Sequence, residues 1–131
     1  MMKILIAEDD FTSRKYILKL LSAYGESDIT VNGLEAIEAF VMAFEEGASY
    51  DLICLDIMMP KIDGLRALRY IREKEAEMGI TPEKRVKIIV TTALAESDIA
   101  YKSFEEGYEA FIAKPMDPKK LNKILKEFSL A

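Results

Sequence analysis

The strongest constraint on the fold is the regular alternation of short apolar runs with amphipathic helical stretches along the chain. Runs that suit buried strands occur at residues 3–7, 29–31, 52–56, 86–90 and 110–113. Between and after these runs, apolar residues recur at the spacing of a helix face. Five strand–helix units with short connections predict a mostly parallel sheet, with helices on both faces and right-handed crossovers.

The helical stretches carry typical start and stop residues. Gly25 is predicted to close the first helix, and Asn32 with Glu35 three residues later resembles a capping box. Asp117 as the cap and Pro118 at the first helical position start the fifth helix. The predicted fourth helix, from Ser97 to Gly107, has the weakest apolar stripe of the set.

The composition of the five strands predicts their order in the sheet. The first, third and fourth are nearly all apolar, as expected for strands that are buried on both faces. The second and fifth are shorter and more polar, which places them at the edges. We therefore expect one α/β domain over residues 1–131, a flavodoxin-like doubly wound parallel sheet of five βα units in the order 2-1-3-4-5. Ligands of such sheets bind at the carboxyl ends of the strands, here strands one and three.

Polar residues terminate the predicted strands where this order places the crevice. Several carboxylates held close together repel each other, and a divalent cation relieves that repulsion. Oxygen ligands from two or three carboxylates, with water completing the shell, suit Mg2+ better than Ca2+. The strand-terminating residues are Glu8, Asp9, Asp10, Asp56, Thr91, Thr92 and Lys114.

This set of groups suits phosphoryl transfer to a carboxylate. A metal ion, the ammonium group of Lys114 and the hydroxyl group of Thr92 can together neutralise three phosphoryl oxygens around Asp56. The pattern therefore predicts Asp56 as the nucleophile that accepts a phosphoryl group.

Composition excludes several classes of function. The chain has 131 residues and a formal net charge of −5 without a basic run, which argues against a nucleic-acid partner. It has no apolar stretch near the ~18 residues of a membrane span, and its single cysteine, Cys54, cannot form an internal disulfide. We therefore expect a cytoplasmic protein without a membrane partner. Histidine is absent, so a phosphohistidine donor must be another molecule.

The chain resembles the receiver domains of bacterial two-component response regulators, of the single-domain chemotaxis-regulator type. The resemblance spans nearly the whole chain, and its motifs are specific in combination and order. They are Glu8-Asp9-Asp10, the segment from Leu55 to Pro60 around Asp56, Asp63-Gly64, Thr92-Ala93, and Phe111 with Lys114-Pro115.

The resemblance implies a role for each matching acidic residue. Asp56 would accept the phosphoryl group from a partner histidine kinase or phosphotransfer protein. Asp10, Asp56 and the backbone carbonyl of Met58 would bind Mg2+ directly, and Asp9 would act mainly through water. The family's non-acidic residues would sense the phosphoryl group.

Thr92 would bond a phosphoryl oxygen, and Lys114 would pair with it. Phe111 would be the aromatic residue that moves inward when Thr92 moves, and the Lys114–Pro115 bond would be cis. Met58 and Leu94 are apolar at positions that flank the phosphoryl group in the family. Because they do not align an attacking water, we expect slow loss of the phosphoryl group.

The implied function is a signalling switch without an output domain, which catalyses only its own phosphorylation and dephosphorylation. It would bind a downstream protein through the fourth helix, fifth strand and fifth helix, as a monomer or a phosphorylation-dependent dimer. The kinase, the output partner and the pathway are not determined by the sequence.

Four alternatives differ from this function. One is an intermediate carrier or sink in a phosphorelay, and another is an interaction module that works without phosphorylation. A Mg2+-dependent aspartyl-phosphate phosphatase is disfavoured because Met58 stands where that class has a second aspartate. A flavodoxin-type electron carrier is disfavoured because Glu8, Asp9 and Asp10 would repel the flavin phosphate.

Overall fold

The computed structural model describes residues 2–93 and 107–131, which form one parallel five-stranded sheet with helices on both faces. The strands are β1 (Met2–Ala7), β2 (Gly25–Thr30), β3 (Leu52–Asp56), β4 (Lys87–Thr92) and β5 (Ala110–Ala113). The helices are α1 (Phe11–Leu21), α2 (Gly33–Glu45), α3 (Gly64–Glu77) and α4 (Pro118–Glu127), with a 3-10 turn at Pro82–Lys84. The strand order β2-β1-β3-β4-β5 confirms the predicted flavodoxin-like fold. The predicted fourth helix begins at Ser97, and its residues up to 106 lie outside the described part of the chain. The helix labelled α4 here is therefore the one that the sequence predicted as the fifth.

Two apolar clusters fill the space between the sheet and its helices. Alternate residues of β1 point to opposite faces. Ile4 and Ile6 pack with α1 and α4, whereas Leu5 and Ala7 pack with α2 and α3. The three central strands are almost wholly buried, and β2 and β5 form the edges, as predicted. No helix within the described ranges has the length and apolar character needed to cross a membrane.

The helix starts follow the predicted caps. The Asn32 side chain accepts a hydrogen bond from the Glu35 amide (2.9 Å), and the Glu35 carboxylate accepts one from the Val31 amide (3.0 Å). In the usual capping box the glutamate accepts from the amide of the capping residue, here Asn32. In this structure Glu35 accepts instead from the amide one residue earlier, that of Val31. Asp117 caps α4 ahead of Pro118, through a bond from the Lys119 amide.

Gly25 begins β2 and does not close α1, so that prediction was wrong. The helix ends at Leu21, and Gly25 pairs with Met2 in the β1–β2 ladder. A Cβ atom at Gly25 would lie 2.0 Å from the Met2 carbonyl oxygen, so the close approach of the two strands requires glycine there. The second strand accordingly spans 25–30, where 29–31 was predicted, and Val31 lies outside it.

The fourth strand is also displaced from its prediction. It spans Lys87–Thr92, where 86–90 was predicted, because Thr91 continues the ladder by pairing with Asp56 of β3. This extension fixes the end of β4 beside the end of β3, at the edge where the predicted site lies.

Candidate functional site

The register of β1 and β3 brings two buried carboxylates together at the carboxyl edge of the sheet. Ala7 pairs with Leu55, so the next residues, Glu8 and Asp56, lie side by side. Their exposed fractions are 0% and 2%. Carboxylates that are buried in contact with each other destabilise a fold unless a cation compensates them.

Lys114 supplies one compensating positive charge. Pairing of Thr92 with Ala113 aligns the ends of β4 and β5, and the Lys114 amide donates to the Thr92 carbonyl (2.9 Å). The Lys114 Nζ atom then lies 2.5 Å from Glu8 Oε1 and 3.2 Å from Asp56 Oδ2. The Lys114–Pro115 peptide bond is cis, as the resemblance implies.

Burial and charge shift the pKa values of this group in defined directions. Burial, followed by the neighbouring Glu8 carboxylate, raises the pKa of Asp56 above its ordinary value. Burial alone would lower the pKa of Lys114, but its ion pairs with Glu8 and Asp56 outweigh that effect and raise it. Lys114 therefore does not fully neutralise the negative charge at Asp56, and a further cation beside this carboxylate would stabilise its charged form.

The acidic residues that converge are Glu8, Asp9 and Asp56. One carboxylate oxygen from each lies within 4.8 Å of the others. Asp9 is exposed whereas Glu8 and Asp56 are buried, so a cation here would meet protein oxygens on one side and water on the other. All-oxygen ligation with retained water is the chemistry that Mg2+ prefers, and the residues present fit that ion.

Asp10, which the sequence analysis placed among the direct ligands, has a different position. Its Oδ2 atom accepts a hydrogen bond from the Ser13 amide (2.8 Å), which caps α1 and lowers the pKa of Asp10. The structure thus brings Glu8 and Asp9 to Asp56 and turns Asp10 to the helix. Ser13 lies three residues after Asp10, which is the spacing of a helix cap. This spacing could have indicated from the sequence that Asp10 caps a helix, whereas Glu8 and Asp9 do not.

Arg14 is a residue of the site that sequence reasoning missed. Its Nη1 atom donates to the backbone carbonyls of Glu8 (3.2 Å) and Asp9 (3.3 Å). These bonds hold the turn that presents both carboxylates. The sequence signal for this role was an arginine placed one turn into the helix that follows the acidic loop.

The remaining predicted residues surround the pocket. Thr92 is fully buried at the end of β4, and Phe111 is partly buried against the cluster on the α2–α3 side. The Met58 side chain is 58% exposed, and its amide donates to Asp56 Oδ1 (3.3 Å). Thr91 is buried, pairs with Asp56 in the β3–β4 ladder, and lines a cavity on the α1 side that Lys114 also lines. Leu94 lies outside the described residues.

A parallel sheet of order 2-1-3-4-5, with an acidic pocket and a lysine at the ends of β1, β3 and β5, defines the class of CheY-like signalling domains. The family model of the response regulator receiver domain matches residues 4–126. The chain therefore belongs to this family, which confirms the resemblance seen in the sequence. Receiver domains act in two-component signalling, where histidine kinases commonly phosphorylate them on aspartate.

Relatives include both multidomain kinases and single-domain regulators. The chain is 34% identical over 127 residues to hybrid signal transduction histidine kinase L of Dictyostelium discoideum, a match that covers 96% of this chain and 7% of the kinase. It is 31% identical over 121 residues to the chemotaxis protein CheY of Treponema pallidum, covering 91% and 76% of the two chains. This chain thus spans only a small part of the length of the hybrid kinase.

Among solved structures, the receiver domain of a sensor histidine kinase from Pseudomonas aeruginosa has a TM-score of 0.78 and 28% sequence identity. The match covers 97% of this chain and 96% of that one. A magnesium ion is coordinated in the active site cleft of that protein.

Proposed function

We propose that this chain is a phosphorylation-controlled switch in which Asp56 accepts a phosphoryl group from a partner histidine kinase or phosphotransfer protein. The observation that carries the proposal is the position of Lys114, whose ammonium group contacts both Asp56 and Glu8 at a buried strand edge. A structural salt bridge needs one acid and one base, whereas this cluster holds an excess of carboxylates at an opening to solvent. Such an arrangement suits a site that takes up a further cation and an anion.

The transfer step follows from the chemistry of the groups present. A carboxylate oxygen of Asp56 attacks phosphorus, and the bond between phosphorus and the donor nitrogen breaks, with its electron pair leaving on the imidazole. Lys114 pairs with the phosphoryl oxygens that result, and the Thr92 hydroxyl donates to one of them. Positioned charges of this kind provide most of the stabilisation in phosphoryl transfer.

The residues that would hold Mg2+ are Glu8, Asp9 and Asp56, together with the backbone carbonyl of Met58 that the resemblance implies. Asp10, given as a direct ligand by the sequence analysis, would act through its cap on α1. Bound Mg2+ supplies positive charge that offsets the repulsion between these carboxylates and an incoming phosphoryl group.

Phosphorylation would then act through a shift between two conformations. Thr92 and Lys114 lie on neighbouring strand ends joined by a backbone hydrogen bond, so contacts with a phosphoryl group would bias both strands together. Phe111 pairs with Val90 in the β4–β5 ladder and packs, partly buried, against the apolar cluster on the α2–α3 side, and it would repack when Thr92 moves. The surface that would respond includes β5, α4 and the segment between β4 and β5, and it is the proposed binding face for a downstream protein.

A second candidate is an intermediate carrier in a phosphorelay. It is favoured by the 34% identity to a region of a hybrid histidine kinase. Both candidates use the same acceptor, so they differ only in whether the phosphoryl group moves on to another protein.

The proposed acceptor is tested by intact mass after incubation with a small-molecule phosphodonor and Mg2+. We expect one added phosphoryl group on the native chain and on Asp51→Asn, a matched control at an exposed aspartate. Asp56→Asn, or removal of the metal with a chelator, should abolish the added mass. An adduct that persists on Asp56→Asn would contradict the assignment, and the decay of the native adduct measures the predicted slow dephosphorylation.

A further inference from the structure

The hydroxyl group of Thr91 is buried without a hydrogen-bond partner among the described residues. Thr91 is 1% exposed and pairs with Asp56 in the β3–β4 ladder. A buried polar group that lacks a partner destabilises a fold, so such groups are rare in folded proteins. Thr30, a buried threonine of β2, shows the usual arrangement, because its hydroxyl donates to the Ile6 carbonyl (3.1 Å). The exception at Thr91 points to a partner from outside the chain.

Thr91 lines a cavity of about 200 Å3 between α1 and the segment that joins β5 to α4. Ile17 of α1 and Pro115 and Met116 of the joining segment form apolar walls, and the exposed Thr12 lies on the rim. Ile17 and Met116 are both buried. An apolar cavity of about 150 Å3 holds a benzene ring, so this one has room for a single ring with a small substituent.

Two other polar groups at the cavity are already bonded within the chain. The Tyr16 hydroxyl donates to the Met116 carbonyl (2.9 Å). The Lys114 ammonium group contacts Glu8 and Asp56, so its charge does not require an anion in the cavity. These bonds also hold the walls in place before anything binds, which lowers the conformational entropy lost on binding. The occupant that fits this cavity is therefore a neutral molecule.

Water alone is a poor match for the inner part of the cavity. A buried water molecule typically makes about three hydrogen bonds. Thr91 offers one partner there, and Ile17 and Met116 offer none through their side chains. A ring with one polar group suits these walls better, because it pairs with the hydroxyl group and covers the apolar surface.

We propose that this cavity binds a neutral one-ring aromatic compound that carries a single hydroxyl or amino group. The ring would pack against Ile17 and Met116, and its polar group would bond the Thr91 hydroxyl. Rotation about the threonine Cα–Cβ bond exchanges the positions of the methyl and hydroxyl groups, so the hydroxyl group can turn toward the occupant. Binding here requires neither a metal ion nor a phosphoryl group at Asp56.

The test compares phenol with toluene, which has nearly the same size and lacks the hydroxyl group. The native chain, labelled at its isoleucine and methionine methyl groups, is titrated with each compound and followed by NMR. We expect saturable binding of phenol, with the largest shifts at the methyl groups of Ile17 and Met116. Thr91→Val keeps the shape of the side chain and removes its hydroxyl, so the affinity for phenol relative to toluene should fall by about tenfold.

Thr30→Val is the matched control, because it removes a hydroxyl group that is already paired and lies outside the cavity. It should keep the native relative affinity for phenol. In urea denaturation it should be less stable than Thr91→Val, because it leaves the Ile6 carbonyl without that donor.

The proposal is overturned if phenol does not bind the native chain saturably, or if the shifts centre away from the cavity. An unchanged relative affinity in Thr91→Val, or an equal fall in Thr30→Val, would also overturn it. Every titration omits Mg2+ and the phosphodonor, so the outcome does not depend on whether Asp56 accepts a phosphoryl group. The intact-mass experiment tests the phosphoacceptor separately.

Discussion

At the level of single residues, Lys114 determines the electrostatic balance of the pocket. Among the described residues it is the ammonium group that contacts Glu8 and Asp56, and Asp9 adds a third carboxylate within reach. One positive charge against three negative ones leaves the site attractive to a cation. A phosphoryl group adds further negative charge, so the same imbalance explains why acceptance should depend on a metal ion.

The assignment of the neighbouring acids gives a sharp prediction. Asp9→Asn should strongly reduce Mg2+-dependent phosphorylation, because Asp9 converges with Glu8 and Asp56. Asp10→Asn should retain it, because asparagine also caps a helix and Asp10 faces Ser13. The measurement is the fraction of phosphorylated chain at limiting Mg2+, by intact mass.

The control for helix capping is Asp10→Ala, which removes the acceptor for the Ser13 amide. It should lower the free energy of unfolding while still allowing phosphorylation at saturating Mg2+. If Asp10→Asn abolished phosphorylation and Asp9→Asn did not, Asp10 would be the direct Mg2+ ligand and Asp9 would not, as the sequence analysis predicted.

At the level of secondary-structure elements, Gly64 sets how closely α3 approaches the site. The first residue of α3 lies against the end of β3, and its amide donates to the Ile57 carbonyl (2.9 Å). A Cβ atom at this position would lie 2.1 Å from the Asp56 carbonyl oxygen. The obstacle is backbone and not a flexible side chain, so it cannot yield without moving Asp56.

Gly64→Ala should therefore lower the free energy of unfolding by about 1–3 kcal/mol and also slow phosphorylation of Asp56. Urea denaturation measures the first effect and intact mass the second. Glu73→Ala, at an exposed position of the same helix, is the control and should be near neutral. Unchanged stability of Gly64→Ala would show that β3 and α3 can separate freely.

A buried ion-pair network joins α3 to the beginnings of β4 and β5. The Arg72 guanidinium donates to the Glu75 carboxylate (2.7 Å), the Glu109 carboxylate (2.7 Å) and the carbonyls of Val86 and Gly107. The Arg72 side chain is 13% exposed. Glu109 lies directly before β5, so this network helps to position the strand that ends at Lys114.

Arg72→Met should be strongly destabilising, by about 3–5 kcal/mol, because it leaves the buried Glu75 carboxylate without its cation and leaves Glu109 paired with Arg85 alone. Lys74→Met is the matched control, since Lys74 pairs with Glu77 on the surface, and it should cost less than about 1 kcal/mol. Adding Glu75→Gln and Glu109→Gln to Arg72→Met should recover part of the loss. Equal effects of Arg72→Met and Lys74→Met in thermal or urea unfolding would contradict this account.

At the level of the whole molecule, the two apolar clusters shield the central strands of the sheet from solvent on both faces. Cys54, the single cysteine, lies mid-strand in the cluster beneath α1 and α4. Burial, followed by the nearby Glu8 and Asp56 carboxylates, raises the pKa of its thiol to about 12. Both the burial and the high pKa oppose thiolate formation.

We therefore expect Cys54 to react with a thiol reagent only when the domain opens globally. In native buffer the labelling rate should fall far below that of the urea-unfolded chain, and it should rise in parallel with the loss of helical circular dichroism. Labelling that is complete well below the unfolding midpoint would show that this side of the core opens locally.

Much of the architecture was predictable because it depends on local patterns. The period of the apolar residues distinguished strands from helices, and the apolar run at 52–55 and the nearly apolar run at 86–90 marked central strands. Asn32, Asp117 and Pro118 act at the helix starts where capping rules place them. The position of Gly25 was mistaken because the reason for glycine there is the backbone of Met2, which lies 23 positions away in the chain.

The sequence by itself determined the fold class, the strand order and the edge of the sheet where the acids gather, because apolar periodicity and the ends of parallel strands follow from local residue order. Only the tertiary structure decided which of three consecutive acids face Asp56. That choice depends on the register of β1 with β3 and on the residue at which α1 begins, and both are set by packing between distant segments. The same long-range packing brings Lys114 to Glu8 and Arg72 to Glu109, contacts that no local pattern encodes.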